Sequence, residues 1–382
     1  MSNPFKPTAG KTPPVLIGRE SDLEEFSIGL DDGPGAPSRL MYFTGARGVG
    51  KTVMLNAIGD IACERKWVVV DETADAGFID RIIQALDRKK HRVSSIKLPT
   101  ASVSTALGSA EATVGLGEVE FADTQASLDL RHAIGDRLDS LNEKKRGILV
   151  TLDEVQPQSI AEMRALATAV QHLIREDRNI AFVFAGLPAM VEEVINDDIL
   201  TFLRRSLRKH LGSVAQTDIE QAFAETIHAG DKQADDNVIT RLAEATNGYP
   251  YMIQLVGYYA WQNADRGDGP SVITMDEAER GIATAQTMLG SMVHGPAFDE
   301  LPDMARSYLL AMSQDDGPSK TADIASRLGH DTGYANVYRT RLIKEDLIEP
   351  AGYGLVDFKI PYMREYLREH GTNEQMRRNL EE

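Results

Sequence analysis

The chain has 382 residues, 42% of them hydrophobic, which suits two or three cored domains at roughly 100–200 residues each. A net charge of −17 argues against whole-surface attraction to DNA or anionic lipid and leaves room only for a local basic face. One cysteine, Cys63, excludes an intrachain disulfide and a cysteine-based zinc site. The histidines are scattered, so any metal is expected to arrive with a nucleotide, in a reducing, cytoplasmic setting. No apolar run approaches the roughly 20 residues of a membrane helix, and no membrane partner is expected.

In chain order, residues 1–14 ("MSNPFKPTAGKTPP") lack an apolar signal core and read as an extended, Pro/Gly-rich arm. "VLIGRE" leads into the acidic amphipathic helix pattern "SDLEEFSIGL", and "DDGPGAPS" is loop. "RLMYFTG" is a buried strand, followed by a helix over "KTVMLNAIGDIACER", a strand "WVVVDET" and a helix "GFIDRIIQALDRKK". Residues 93–125, rich in Ser, Gly and small residues with some alternation, suggest a hairpin or flap insertion. Helix "SLDLRHAIGDRLDSLNEK", strand "GILVTLDE", helix "AEMRALATAVQHLIRED" and strand "NIAFVFAGL" complete an α/β core over residues 15–215. Strands alternating with helices imply a parallel sheet.

Residues 216–298 carry helical patterns only and read as a small helical lid. From about Leu301 three short helix patterns precede a hairpin, "IEPAGYGLVDFKIP", with Gly352 and Gly354 in its turn; this is the winged-helix order, placed at 299–370 and followed by a tail at 371–382.

The segment Gly45-Ala46-Arg47-Gly48-Val49-Gly50-Lys51-Thr52 matches the P-loop pattern GxxxxGK[ST], with an apolar strand before it and a helix after it. Its glycines permit close backbone approach, its N–H groups and the helix N-terminus favour phosphate, and Lys51 and Thr52 are placed for the β/γ-phosphates and Mg²⁺ of ATP. Two strands end in acid pairs, Asp71-Glu72 and Asp153-Glu154. The first follows the P-loop after a single helix, where a second strand belongs, and reads as strand-end solvation. We assign Asp153 to Mg²⁺, through water, and Glu154 to polarising the attacking water. Arg204 and Arg205 follow the fourth strand, where a cation reaches a γ-phosphate in cis or across a subunit boundary; a solvated helix end is the plainer alternative.

The set "GARGVGKT", "LVTLDE" and "VLIGRE" resembles the AAA+-like ATPases of the origin-recognition type and their relatives, the archaeal-type and STAND signalling ATPases. The arm plus motif looks like the start of a bacterial, especially actinobacterial, group of such ATP-binding proteins. The resemblance spans most of the chain and implies a P-loop parallel sheet, a helical lid and a winged helix. It implies that Ile17, Gly18 and Arg19 lie against the adenine. There are two departures. The fourth strand ends "VFAGLP" where a polar sensor is usual, and "TNGYPYMIQ" stands where many members carry a lid arginine. Gly248-Tyr249-Pro250 looks instead like the GxP feature of the STAND relatives, making Pro250 a lid contact to nucleotide, although Pro opening a helix is also ordinary chemistry. The departures keep ATP binding and argue against fast hydrolysis.

The candidate recognition helix "GYANVYRTRLIKEDL" offers Asn336, Arg339, Arg341 and Lys344 to duplex DNA, with Tyr334 and Tyr338 packing beside them and Lys359 in the wing. Against that, residues 301–382 hold eleven Lys/Arg and fourteen Asp/Glu. By spacing, Val337, Leu342 and Leu347 are core, and Trp67 and Trp261 are buried anchors. Three functions follow: an ATP/ADP switch with slow Mg²⁺-dependent hydrolysis acting on a protein partner or on itself, a DNA-binding loader or remodeller, and a non-hydrolysing nucleotide-bound scaffold.

Overall fold

The computed structural model of the protein describes residues 2–8, 10–13, 16–88, 116–141, 146–198, 200–264 and 272–371, with the backbone alone at 88 and 116–125. Helix α1 (Glu20–Asp32) precedes β1 (Leu40–Thr44), α2 (Lys51–Glu64), β2 (Val68–Thr73) and α3 (Phe78–Arg88). Then come α4 (Leu116–Asp139), β3 (Ile148–Asp153), α5 (Ile160–Arg175), β4 (Ile180–Gly186), α6 (Pro188–Ile195) and β5 (Leu207–His210).

The five strands form one parallel sheet in the order β2-β3-β4-β1-β5. Strand side chains alternate in direction, so each apolar run supplies both faces. Met41 and Phe43 of β1, Leu149 of β3 and Val183 of β4 join Phe26 of α1 and Met54 and Ile58 of α2 on one side. Tyr42, Val150, Phe182 and Phe184 join Phe78 of α3, Leu130 of α4 and Leu166 of α5 on the other. Tyr42 stacks on Phe184 at 5.1 Å. The α/β expectation holds, and the β1–α2 junction stands at the carboxyl edge of the sheet.

The expected hairpin at 93–125 lies largely outside the described residues, and its last part, 116–125, is the opening of α4 instead. Apolar residues at 116, 119 and 121 are too few to separate a two-residue period from a helical one.

Next come α7 (Gln216–Ala229), β6 (Gln233–Ala234), α8 (Asp236–Glu244), α9 (Pro250–Ala264), β7 (Val272–Ile273) and α10 (Met275–Leu289). A capping box at Thr274 and Glu277 starts α10, and a π-helical turn, Gly290–His294, ends it before α11 (Gly295–Asp299). Gly281 of α10 allows that helix to lie directly on the backbone of α9 at Ala260. The expected tryptophan anchors are buried: Trp261 is packed beside Lys232, whose ammonium lies 4.8 Å from the ring, and Trp67 lies under Arg39.

The last unit runs α12 (Asp303–Met312), β8 (Ser319–Lys320), α13 (Thr321–Leu328), α14 (Thr332–Lys344), β9 (Ile348–Gly352), β10 (Leu355–Phe358) and α15 (Met363–His370). Its antiparallel sheet has the order β8-β10-β9, which fits the winged-helix order read from sequence. Leu342 and Leu347 are buried as expected, but Val337 is 64% exposed. Five residues separate Val337 from Leu342, about 140° around a helix, so the two cannot share a face.

Candidate nucleotide site

The P-loop leaves β1 at Thr44 and enters α2 at Lys51, with Gly50 in the left-handed conformation. The Lys51 ammonium donates to the carbonyls of Gly45 and Ala46, both at 2.8 Å. Burial lowers its pKa to about 8, opposed chiefly by Asp153. Arg47 to Thr52 face a cleft of about 410 Å³, which Gly45 and Ala46 do not line.

The Thr52 hydroxyl donates to Asp153 at 2.5 Å, joining the P-loop helix to the end of β3. The other Asp153 oxygen accepts from the Glu154 N–H at 2.8 Å. Glu154 is exposed at φ +56°, a costly conformation for a residue with a side chain, of order 1–3 kcal/mol. It is fixed there because the next N–H, of Val155, donates to Ala185 of β4 at 2.9 Å. One hydroxyl and one carboxylate in contact, with no cluster of three metal-ligating side chains among the described residues, fit Mg²⁺. That ion keeps most of its waters and takes one or two protein oxygens beside phosphates.

Around the cleft, Ile17 and Arg19 form one wall, and Pro250, at the start of α9, faces the cleft from the helical unit. Gly18 turns the chain between Ile17 and Arg19 at φ +66° and does not itself line the cleft. Arg19 is held by the Gly212 carbonyl at 2.6 Å, and burial lowers its pKa.

The helical unit touches the P-loop directly. Tyr249 is 5% exposed, and its hydroxyl donates to the Arg47 carbonyl at 2.5 Å. The phenol fills the space beside Gly48, where an added Cβ would stand 2.1 Å from the Tyr249 oxygen. The Arg47 guanidinium pairs with Glu300 at 2.7 Å, just before α12. At the end of β4, a Cβ on Gly186 would lie 2.7 Å from the Val155 carbonyl and 2.8 Å from a Val191 methyl. A side chain there would require the Val155 backbone or Val191 to shift, so the end of β4 is tightly packed at Gly186.

With this geometry, residues 15–183 match the family described as "AAA ATPase domain". That stretch, a little under half of the chain, is similar to an AAA ATPase domain. Residues 291–367 match a domain of unknown function, DUF8462. Two solved structures share the fold. The Walker-type ATPase PABY2304 of Pyrococcus abyssi is similar at 14% identity and a TM-score of 0.62, over 92% of this chain and 96% of that one. The ORC2 protein of Aeropyrum pernix, in its ADPNP–ADP complexes, is similar at 12% identity and a TM-score of 0.65, over 98% and 97%. No curated protein sequence matches. The match supports nucleotide binding by residues 15–183.

Other expected site residues lie away from this cleft. The Arg204 guanidinium donates to the carbonyls of Ile195 and Asn196 at the end of α6, at 3.2 and 3.0 Å, which corrects its expected reach to a γ-phosphate in cis. Arg205 is exposed and does not line the cleft. Asp71 accepts from Thr151 at 2.6 Å and Glu72 from Arg81 at 2.8 Å, so both belong to structure outside the cleft. On α14, Asn336 and Lys344 are exposed, and Arg341 pairs with Glu345 at 2.8 Å. Arg339 is partly buried, with its Nε shielded from solvent and without a hydrogen-bond partner among the described residues. Tyr334 and Tyr338 pack on each other, with hydroxyls 3.3 Å apart. Sequence reasoning passed over Tyr249 as a P-loop partner and Lys6 and Lys11 as cleft residues. A lone Phe5 in a proline-rich arm was the available signal for the last two.

Proposed function

We infer that the protein is an ATP-controlled conformational switch whose Mg²⁺-dependent hydrolysis is slow. The observation that carries this is the hydrogen bond from Tyr249 to the Arg47 carbonyl, because it ties the helical lid (216–298) to the loop that takes the phosphates. A shift of the P-loop on phosphate binding changes that contact, so ATP and ADP favour different lid positions through their different contacts with the loop. Ile17 and Arg19 supply the adenine wall, and Pro250 contacts the nucleotide from the lid. Thr52 and Asp153 hold Mg²⁺, and Glu154 orients water. The tight packing at Gly186 supports slow turnover, since one customary γ-phosphate ligand would require its neighbours to shift. The test is single-turnover phosphate release in wild type and Glu154→Gln, with hydrogen exchange of the lid in ATP and in ADP. Measurable release in wild type alone, with lid protection that differs between nucleotides, is the expected result. Bound ATP with no release from either protein would establish a scaffold, and identical lid protection in both nucleotides would remove the switch.

A second reading, duplex DNA binding by the winged helix at 299–370, draws on the exposed Asn336 and Lys344 of α14 and on Tyr353, fully exposed at the tip of the β9–β10 hairpin. It requires binding that weakens steeply with salt and with Lys344→Ala. No binding at low salt, with or without ATP, rejects it. Arg205, exposed and without an ion pair among the described residues, is available to a neighbouring copy, and sizing in ATP against ADP tests self-association.

A further inference from the structure

The N-terminal arm crosses from the lid to the P-loop helix along the mouth of the cleft. Phe5 is 3% exposed; its ring lies 5.7 Å from that of Phe223 in α7 and lies against α9 at Gly257, where a Cβ would approach it to 2.3 Å. Asn3 donates to the Tyr258 carbonyl at 3.0 Å, and the Lys6 N–H donates to the Gln254 side chain at 3.0 Å. At its far end the Gly10 carbonyl accepts from Asn56 of α2 at 3.0 Å. There the chain makes a turn, closed by the Lys11 N–H donating to the Thr8 carbonyl at 3.1 Å, with Gly10 at φ +70°. Lys6, Thr8, Gly10, Lys11 and Pro13 all face the cleft. The Lys11 side chain is exposed and has no hydrogen-bond or ion-pair partner among the described residues; it follows Gly10, where a Cβ would stand 3.9 Å from the methyl of the P-loop Thr52.

We propose that the arm is a strap that closes over the bound nucleotide, with Lys11 as an additional cationic ligand of its polyphosphate. The proposal rests on the cleft being the ATP site. Phe5 and Asn3 fix the strap to the lid, and Asn56 fixes it to the core, so the nucleotide leaves only when one of these anchors lets go. Lys11 adds a charge that a nucleoside without phosphates does not feel.

The experiment measures mant-ATP dissociation from the full chain by displacement with excess ATP, in wild type, Phe5→Ala and Asn56→Ala. ATP and adenosine titrations of wild type and Lys11→Ala accompany it. Release at least about tenfold faster in both anchor variants is expected; a charge-assisted contact predicts roughly tenfold weaker ATP binding in Lys11→Ala, with adenosine affinity unchanged. Asn56→Ala leaves the apolar contacts of Phe5 intact, so it remains informative if Phe5→Ala fails to fold. Wild-type release rates in the anchor variants overturn the strap, and equal losses of ATP and adenosine affinity overturn the role of Lys11. A wild-type chain that binds no mant-ATP removes the reading of the cleft itself.

Discussion

Replacing Tyr249 by Phe removes one hydroxyl and leaves the aromatic ring to fill its buried site. The bond it deletes is short, partly buried and a direct polar link from α9's entry to the P-loop main chain. A single intramolecular hydrogen bond contributes about 1 kcal/mol net, a little more where the abandoned carbonyl stays dry. At 25 °C about 1 kcal/mol is roughly a fivefold change in the equilibrium between docked and undocked lid. The assay is amide hydrogen exchange without nucleotide. The reporters are the Val214 N–H, which donates to Gly248 at 2.8 Å, and the Ile253 N–H, which donates to Tyr249 at 3.1 Å. Both should exchange about fivefold faster by local opening, while amides in β3 keep their wild-type rates. Burial raises the Tyr249 pKa, so its hydroxyl stays protonated and the contrast should be the same at pH 6 and pH 9. Unchanged exchange at Val214 and Ile253 would mean that apolar packing alone holds the lid, and the coupling argument would fail. Equal acceleration throughout β3 would refute it as well, because the loss would then be global.

Lys51→Ala should abolish ATP binding measured by titration, since it removes the ammonium that the loop carbonyls of Gly45 and Ala46 hold in place. Because burial sets the Lys51 pKa at about 8 in the free protein, ATP affinity should fall as pH rises above 8, by up to tenfold per unit. The sign for stability is opposite. The unfolded chain keeps this proton to higher pH, so between pH 8 and the ordinary lysine value the Lys51 contribution to folding becomes more favourable as pH rises. A pH-independent affinity from 7 to 10 would contradict that environment. Gly186→Asn, which restores the customary sensor type, should lower thermal stability by about 1–3 kcal/mol through overpacking against Val155 and Val191 and should not speed phosphate release. Gly48→Ala should undock the lid more completely than Tyr249→Phe, read by the same two amides, because its methyl would occupy the place of the phenol oxygen.

The P-loop was legible because its chemistry is local: the glycine spacing, the lysine and the threonine sit within one turn of chain, and backbone geometry does the rest. Asp153 was legible too, since an acid pair ending an apolar run marks a strand's carboxyl end, and the structure brings it to Thr52. Sheet burial followed from alternation, with Phe43 and Tyr42 parting to opposite faces. What sequence left hidden depends on partners far along the chain. Nothing near Phe5 says that Phe223 will receive it. Val337 faces solvent because the rotation of α14 is set by the buried Ala335 and Leu342, and a helix carrying so few apolar residues gives weak phase information. Arg204 was a cation near the right strand, but its direction depends on the end of α6, which offers carbonyls at closer range.

Arg47 occupies one of the freely variable places of its motif, yet it has little liberty here. Its carbonyl answers to Tyr249 and its guanidinium to Glu300, so two units lying far apart in sequence read the same residue. Substituting the side chain silences the message to the C-terminal unit and leaves the lid's intact, whereas bending the backbone alters both. The third residue of the loop therefore works as a junction box, and exchanging it for lysine would keep its charge while losing its geometry.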